Sequence, residues 1–468
     1  MDFLRNKTNG RQPPRTAEYA PLTTDDDVHA ESETPYAPDE PADDRVPFSW
    51  FEYGTLTFLG MAMLWAWNMF LAAAPYFSSR FKGDGWIETN YQSAIMTAST
   101  ITSLAIAYVL ARMQKSASYP YRIAVALLIN AFVCFILMIS TTIFLNVSPR
   151  SYFAFLLLMV VSTSTATAFM QNGIFSFVAS LNRPKYMQGL VNGQAIAGIL
   201  PALANIVTVL LFPPPTVDSD YTPAERAAKG QTAAFVYFFT AVAVSVAGLF
   251  LLIPLVRRHG GTVNRVISPD NSGVVDDAGS DADGDAFKTR KVVPMGVLLK
   301  KLFWPSSSIA LIFVATMFFP VFTARILSVV SPEIASPLFR PYAFIPLAFF
   351  FWNLGDLLGR IIASSAGSFT NSIFVLFILT ALRVGQVPLY LLCNIDGLGA
   401  VISSDFFYLV VVQLFFGLTG GWIFSKVMTL APESVDKSER EAAGSFLGLA
   451  IMVGLLIGSL LSFMASNV

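Results

Sequence analysis

The sequence predicts an all-α membrane protein that crosses the bilayer about eleven times. Of its 468 residues, 54% are hydrophobic and only 13% are charged, and the mean hydropathy is +0.59. Soluble domains carry about 25% charged residues, so the composition excludes a soluble domain. The apolar residues are gathered into runs of about twenty, the length that an α-helix needs to cross the hydrocarbon core.

A polar segment divides these runs into two groups. Six predicted spans lie near residues 55–77, 91–113, 121–145, 152–180, 187–212 and 232–256. Five more lie near residues 305–330, 341–365, 370–393, 403–428 and 440–465. The composition of the polar parts is typical of chain that cannot bury enough apolar area to fold alone. We therefore predict a disordered cytoplasmic tail (1–50), a six-helix bundle (51–256), a flexible cytoplasmic loop (257–304) and a five-helix bundle (305–468).

The N-terminal tail bears on the choice of membrane. Residues 1–47 are polar throughout, so we expect no cleavable signal peptide. Tyr19-Ala20-Pro21-Leu22 fits a tyrosine-based sorting signal, a short pattern that also arises by chance. Together with the acidic run at residues 25–27, it favours a vacuolar or lysosomal membrane, with the plasma membrane as the alternative.

The distribution of positive charge predicts the orientation of the spans. With eleven spans and the tail in the cytoplasm, 21 of the 30 Lys and Arg residues fall in cytoplasmic segments. Positive charges are enriched on that side of membrane proteins, so an inside N-terminus and an outside C-terminus are expected. Asn146 then begins a formal glycosylation sequon on the outside.

The eighth predicted span carries the most informative polar residues. Asn353, Asp356 and Arg360 are three and four residues apart, so they share one helical face. A carboxylate near mid-bilayer costs roughly 2.5–3.5 kcal/mol, so this face is expected to look toward water or a partner. Two interpretations remain open: a structural ion pair that locks two helices, or a pair that faces a polar substrate path.

Other spans carry isolated polar groups. Leu64, Trp67 and Asn68 share a face of the first span, and Asn68 either ties two helices together or contacts substrate. Gln171 in the fourth span suits a nucleobase edge as well as a neighbouring helix. Arg383 in the ninth span requires a partner or a water-filled cavity.

The sequence argues against an enzyme. Asp356 is the one carboxylate deep in a predicted span, and both histidines, His29 and His259, lie in polar segments. There is no zinc-protease motif and no glycine-rich phosphate loop, and we expect no cofactor and no metal. Cys134 and Cys393 lie in apolar runs, where they act as small hydrophobes. A net charge of −1 without a basic stripe gives no sign of nucleic-acid binding.

Several motifs, in order along the chain, resemble those of the equilibrative nucleoside transporter family. They are Trp67-Asn68 with Tyr76-Phe77, Gln171, Asn192-Gly193-Gln194, the segment WNLGDLLGR (352–360), the segment GGWIFSKV (420–427) and Glu441-Ala442-Ala443-Gly444. The most specific is the eighth-span segment. Two positions depart from the family pattern: Ala66 stands where a proline is expected, and Gly420 stands where an asparagine is expected.

The resemblance implies a major-facilitator-like fold of six plus five helices that moves nucleosides, or also nucleobases, down their gradients. It implies that the pocket is lined by Leu64, Trp67, Asn68, Gln171, Asp356 and Arg360. The pairing of Asp356 with Arg360 favours a charged carboxylate and therefore facilitated diffusion. Proton-coupled transport and a receptor that binds solute without moving it stay as alternatives.

A second expectation concerns the gate. Arg122 and Glu441 stand at cytoplasmic ends of spans in the two bundles, so they can pair when the inner gate is shut, or can simply face water. The expected partners are a nucleoside and the lipid bilayer, and we expect a monomer.

Overall fold

The computed structural model describes most of the chain between residues 47 and 465. The described ranges are 47–114, 118–143, 145, 147–211, 223–259, 293–331, 333–365 and 370–465. The predicted tail up to residue 46, the middle of the polar loop and Asn146 lie outside the described residues.

Within these ranges, eleven helical segments are long and apolar enough to cross a membrane. They are α1 (Trp50–Ala72), α2 (Gly85–Arg112), α3 (Tyr119–Ser140), α4 (Pro149–Ser180), α5 (Pro184–Val207), α6 (Gly230–Arg258), α7 (Phe303–Thr323), α8 (Pro341–Ala363), α9 (Ile373–Leu392), α10 (Phe407–Ser434) and α11 (Lys437–Ser462). Two short helices, Ala74–Phe81 and Met295–Lys301, precede α2 and α7. The prediction of an all-α protein with eleven membrane spans is confirmed.

Some spans begin or end at residues other than the expected ones. A proline or a polar residue at the helix end accounts for these differences. Helix α1 begins at Trp50, before the expected residue 55, and ends at Ala72. Pro75 occupies the first turn of the next short helix, because a proline is tolerated there but not in a helix interior. Helix α6 ends at Arg258, two residues beyond the expected end of the sixth span.

Helix α10 is irregular in its first half. Phe407–Leu414 forms a π-helix, and Phe415–Leu430 continues as an α-helix. The buried Gln413 near the junction donates to the hydroxyls of Thr323 (2.8 Å) and Tyr408 (2.7 Å), and accepts from the Tyr390 hydroxyl (3.2 Å). These bonds tie the π-helical turn to α7 and α9.

The helices pack in two groups with matching internal contacts. In the first group α1 packs on α5, α2 on α4 and α3 on α4. In the second group α7 packs on α11, α8 on α10 and α9 on α10 in the same way. Helix α6 packs on α1 and α3 and has no equivalent among the five helices of the second group, where α7 and α9 contact each other directly.

Helices α8 and α10 approach each other through reciprocal glycines. Gly355 and Gly359 on α8 face the carbonyls of Leu414 and Leu418, and Gly417 and Gly421 on α10 face the carbonyls of Trp352 and Asp356. A Cβ at any of these four positions would collide with the facing backbone. The small-xxx-small spacing therefore brings the two backbones together, as it does in membrane helices generally.

Among the described residues, one apolar cluster shared by the two groups lies on one side of the membrane. We call the face where α1 begins the near face and the other the far face. Ala107, Ala168 and Leu449, from α2, α4 and α11, form a near-side cluster that joins the groups. On the far side, one aromatic cluster around Phe77 belongs to the first group, and another around Phe344 belongs to the second.

The near face also holds a buried carboxylate outside the expected site. Glu52 accepts a hydrogen bond from the Tyr186 hydroxyl and forms an ion pair with Arg258 (Nε to Oε1, 3.1 Å), and its Oε1 lies 3.0 Å from His259 Nε2. His259 is 6% exposed rather than solvated as its polar segment indicates, because this carboxylate draws it against the starts of α1 and α5. The cluster ties the end of α6 to both helices.

Gly417→Val is expected to lower the free energy of unfolding by about 1–3 kcal/mol, because the new methyl groups collide with the Trp352 carbonyl and the α8 backbone cannot retreat. Thermal unfolding of the purified protein in detergent measures the loss. The matched control is Gly54→Val in α1, where no atom lies within 4 Å of the position that a Cβ would take. Equal losses in both variants would contradict the close-contact interpretation.

Candidate substrate site

Asp356 and Arg360 form an ion pair on α8. Arg360 Nη2 lies 2.9 Å from Asp356 Oδ2, and the two side chains are each 11% exposed. The i,i+4 spacing lets one helical turn bring the two charges together. In the low-dielectric interior an unpaired charge would cost far more than the pair, so each charge offsets the cost of burying the other.

Arg360 also holds α5, in the other helix group. Its Nη1 donates to the Val191 carbonyl (2.6 Å) and to Gln194 Oε1 (3.2 Å). Its guanidinium lies over the Phe424 ring of α10, with the Cζ 4.8 Å from the ring centroid. One cation therefore connects α8 to α5 and α10.

Gln188 on α5 is the second connection at this point. Its amide nitrogen donates to the Arg360 carbonyl and to Asn192 Oδ1, and its amide oxygen accepts from the Ser425 hydroxyl at 2.8 Å. Asn192 in turn donates to the Tyr53 hydroxyl of α1 (3.1 Å). A polar network therefore joins α1, α5, α8 and α10 beside the ion pair.

Helix α5 brings the first-span residues toward the same region. Asn68 donates to the Ala197 carbonyl at 2.6 Å, so in this structure Asn68 ties α1 to α5. Gly198 follows in the chain, and the Asn353 side-chain oxygen lies against its Cα because there is no Cβ to exclude it. Asn68 on α1 and Asn353 on α8 thus contact consecutive residues of α5.

Trp67 and Leu64 lie on the same helix as Asn68. Both are partly buried, and Trp67 stacks on Phe70 with ring centroids 5.9 Å apart. Trp67 also packs against the far-side aromatic cluster of the first group. Trp67 lies in the last two turns of α1, five residues before Ala72.

One oxygen of Asp356 has no hydrogen-bond donor among the described residues. Its Oδ2 binds Arg360, whereas no described residue donates a hydrogen bond to Oδ1. Gly421 lets the carboxylate lie close to the α10 backbone. The arrangement can therefore accept a hydrogen bond from a polar solute while the ion pair stays intact. Among the described residues, no cluster of three His, Cys, Asp or Glu side chains could hold a metal ion.

Gln171 lies at the other contact between the groups. Its amide nitrogen donates to the Gly448 carbonyl of α11 at 3.1 Å, and the residue is 6% exposed. Its neighbour Asn172 donates to the Ser445 hydroxyl, also on α11. Gly444 permits this approach, because a side chain there would meet the Phe175 backbone.

Arg122 reaches α11 indirectly. Its guanidinium donates to the carbonyls of Leu110 (3.3 Å) and Met113 (2.8 Å) and to Asn172 Oδ1, rather than to Glu441. Through Asn172 and Ser445 it connects α3 to α11 at the near side. Direct pairing with Glu441 stays a prediction.

Sequence reasoning did not identify Gln188, Ser425, Asn172 or Ser445 as contacts between the groups. A usable signal was present for Gln188, which stands four residues before Asn192 on a helix that is otherwise apolar and rich in glycine. Arg383, for which a partner was required, donates to the carbonyls of Ile312 and Phe416.

The chain is similar to known transporters in sequence. A family model described as "Nucleoside transporter" matches residues 157–466. The nucleoside transporter FUN26 of Saccharomyces cerevisiae is 29% identical over 448 residues, covering 88% of this chain and 83% of that protein. Human equilibrative nucleoside transporter 2 is 24% identical over 453 residues, covering 87% and 94%.

Solved structures of transporters share this fold. The FucP transporter in its outward conformation matches with a TM-score of 0.53 at 14% identity, over 89% of this chain and 92% of that one. A bacterial homologue of the iron transporter ferroportin matches with a TM-score of 0.54 at 13% identity, over 89% and 93%. The chain therefore belongs to the nucleoside transporter family, and its eleven spans have the fold of a major facilitator superfamily transporter.

Proposed function

We propose that this protein moves nucleosides across a bilayer by facilitated diffusion, with its two helix groups alternately opening the site to each side. The observation that carries the proposal is the buried Asp356–Arg360 pair at the contact between the groups. Family membership supports the substrate class, and the names of the relatives support nucleosides as cargo. Nucleobases are a further candidate cargo of the same site.

The proposed contacts follow from the chemistry of each side chain. Asp356 Oδ1 accepts from ribose hydroxyls, and Arg360 donates to the ribose or the base. Gln171 pairs with a base edge, and Trp67 and Leu64 supply an apolar wall. Asn68, Gln171 and Arg360 currently donate to helix carbonyls. Since a substrate would offer similar acceptors, its binding replaces these bonds with bonds to the substrate at a small net cost in free energy.

The present conformation supports a state with the near face closed. The polar network around Gln188 and the Asn172–Ser445 bond both join the groups toward the near side. On the far side each group keeps its own aromatic core. Because rocking of two halves about a midplane site is the general logic of such transporters, opening the near face requires these bonds to break.

We further propose that the near face is cytoplasmic, so the N-terminal tail lies in the cytoplasm. The positive charge bias along the chain supports this orientation. The acidic tail and the Tyr19 signal favour a vacuolar or lysosomal membrane over the plasma membrane. We expect a monomer that functions as a transporter rather than as an enzyme, without a nucleic-acid partner.

Asp356→Asn is expected to reduce uridine uptake at least about tenfold, because it leaves Arg360 buried without its counter-charge. Radiolabelled uptake into vesicles containing equal amounts of protein measures the loss. The matched control is Asp396→Asn in the far-side loop, where hydrogen bonds from the partly exposed Arg325 lower the pKa of Asp396 outside the spans. Normal uptake by Asp356→Asn would remove the ion pair from the mechanism.

Counterflow in proteoliposomes distinguishes a transporter from a receptor. Unlabelled uridine trapped inside should drive transient accumulation of labelled uridine without an imposed pH gradient. Accumulation that requires a proton gradient would favour proton coupling instead, and saturable binding without any accumulation would favour a receptor.

Gln188→Leu is expected to shift the population toward the state with an open near face, because it removes the hydrogen bonds that Gln188 donates to the Arg360 carbonyl and Asn192 Oδ1 and the one that it accepts from the Ser425 hydroxyl. In an Ala179→Cys background, opening of the near face is measured as faster maleimide labelling, because Ala179 is buried in this structure. The native Cys134 and Cys393 are also buried, so they contribute little background. Gln92→Leu, at an exposed far-side glutamine, is the matched control. Unchanged labelling in Gln188→Leu would show that the network does not hold the near face shut.

The orientation is tested with two exposed positions on opposite faces. In sealed membranes with the cytoplasmic face outward, an impermeant maleimide should label Ser438→Cys at once and Leu398→Cys only after permeabilisation. The reverse pattern would place the near face outside the cytoplasm.

A further inference from the structure

A short segment at the end of the polar loop crosses between the two helix groups on the near face. Residues 293–302, which we call the strap, contain the short helix Met295–Lys301 and lead directly into α7. The short helix packs against α7 and α11, and both Leu298 and Leu302 are fully buried. By its chain connection and its packing, the strap therefore belongs to the second group.

One basic residue fixes the strap to the second group. Lys301 Nζ lies 2.6 Å from Glu439 Oε2 at the start of α11, and 3.5 Å from Asp436 Oδ2 just before that helix. The Glu439 side chain is 1% exposed, whereas that of Lys301 is 38% exposed. Fully exposed ion pairs contribute little to stability, but here one partner is buried and cannot be solvated in place of the pair. The strap is thus anchored at its α7 end.

The other end of the strap is bonded to the first group. Gln114, in the connection between α2 and α3, donates from Nε2 to the Val293 carbonyl (3.1 Å) and accepts from the Val293 N–H at Oε1 (3.0 Å). The same nitrogen donates to the Ala111 carbonyl (3.2 Å), which holds the amide in this orientation. Gln114 and Val293 are both buried. One side chain therefore satisfies both backbone polar groups of a buried residue.

An apolar contact accompanies these bonds. Met295 packs against the near-side cluster of Ala107, Ala168 and Leu449 that joins the groups. If α2 and α4 moved away from α11, this contact and both bonds between Gln114 and Val293 would be lost together, because all of them lie on one short segment. Each hydrogen bond contributes modestly on its own, but simultaneous loss makes their contributions add.

We propose that the strap is a latch that holds the near face closed, with Lys301 as its anchor on the second group and Gln114 as its catch on the first. Displacement of Val293 from Gln114 then favours the open near face without a substrate. The latch rests on the proposed alternation of the two helix groups between a closed and an open near face. It does not depend on which solute the protein carries.

Variants at the two ends of the strap test the proposal. In the Ala179→Cys background, Gln114→Leu should be labelled by maleimide about fivefold faster or more, because it removes both bonds to Val293. Lys301→Ala should change the labelling in the same direction, since it releases the anchor. Lys300→Ala is the matched control on the same helix, because Lys300 is exposed and bonds to no described residue.

Hydrogen exchange measures the latch without any change in the strap or in Gln114. Coupling between two sites is reciprocal, so a variant that opens the near face elsewhere must also release the strap. In Gln188→Leu, the peptide that contains Val293 and the short helix should therefore exchange its amide hydrogens faster than in the unsubstituted protein. Gln92→Leu should leave this exchange unchanged.

Three results would overturn the latch. The first is unchanged maleimide labelling in Gln114→Leu, and the second is equal labelling in Lys301→Ala and Lys300→Ala. The third is unchanged exchange of the strap in a Gln188→Leu protein that is labelled faster at position 179, because the near face would then open without releasing the strap. If neither Gln114→Leu nor Gln188→Leu is labelled faster, the proposed closure of the near face fails together with the latch.

Discussion

The structure depends on one buried cation that finds its partners on three helices. Arg360 takes its counter-charge from Asp356 on α8, its carbonyl acceptor from Val191 on α5 and an aromatic face from Phe424 on α10. Losing any of these partners would leave charge exposed to a low dielectric, where it is expensive. The two helix groups are thus held together by electrostatics at the candidate substrate site, and an apolar cluster of described residues joins them on the near side.

Close helix contact makes this arrangement possible. Four glycines allow α8 and α10 to touch backbone to backbone, which fixes the height and rotation of Asp356 relative to α10. In a bilayer such contacts are stabilised by van der Waals packing, because lipid supplies no hydrophobic drive for helices to associate. The same glycines leave the carboxylate room to keep one oxygen free. Packing and chemistry at the site therefore rest on the same residues.

The spans and the ion pair could be predicted because both are local in sequence. Hydropathy predicts the length of each helix, and the i,i+4 spacing predicts that the side chains of Asp356 and Arg360 meet. The partners of Asn68 and Gln171 could not be predicted, since backbone carbonyls such as those of Ala197 and Gly448 carry no residue-specific signal. Buried His259 was missed for a similar reason: its partner Glu52 is remote in sequence, and its neighbours are polar.

The π-helical turn at the start of α10 has a consequence for how the second helix group deforms. Phe407–Leu414 has a wider turn than the α-helix that follows, so the far third of α10 is out of rotational register with the part that carries Gly417 and Gly421. Bending at this junction costs less than bending within a regular α-helix. Because Gln413 bonds to Tyr390 of α9 and Thr323 of α7, a bend at this junction would move those two helices together with the outer end of α10.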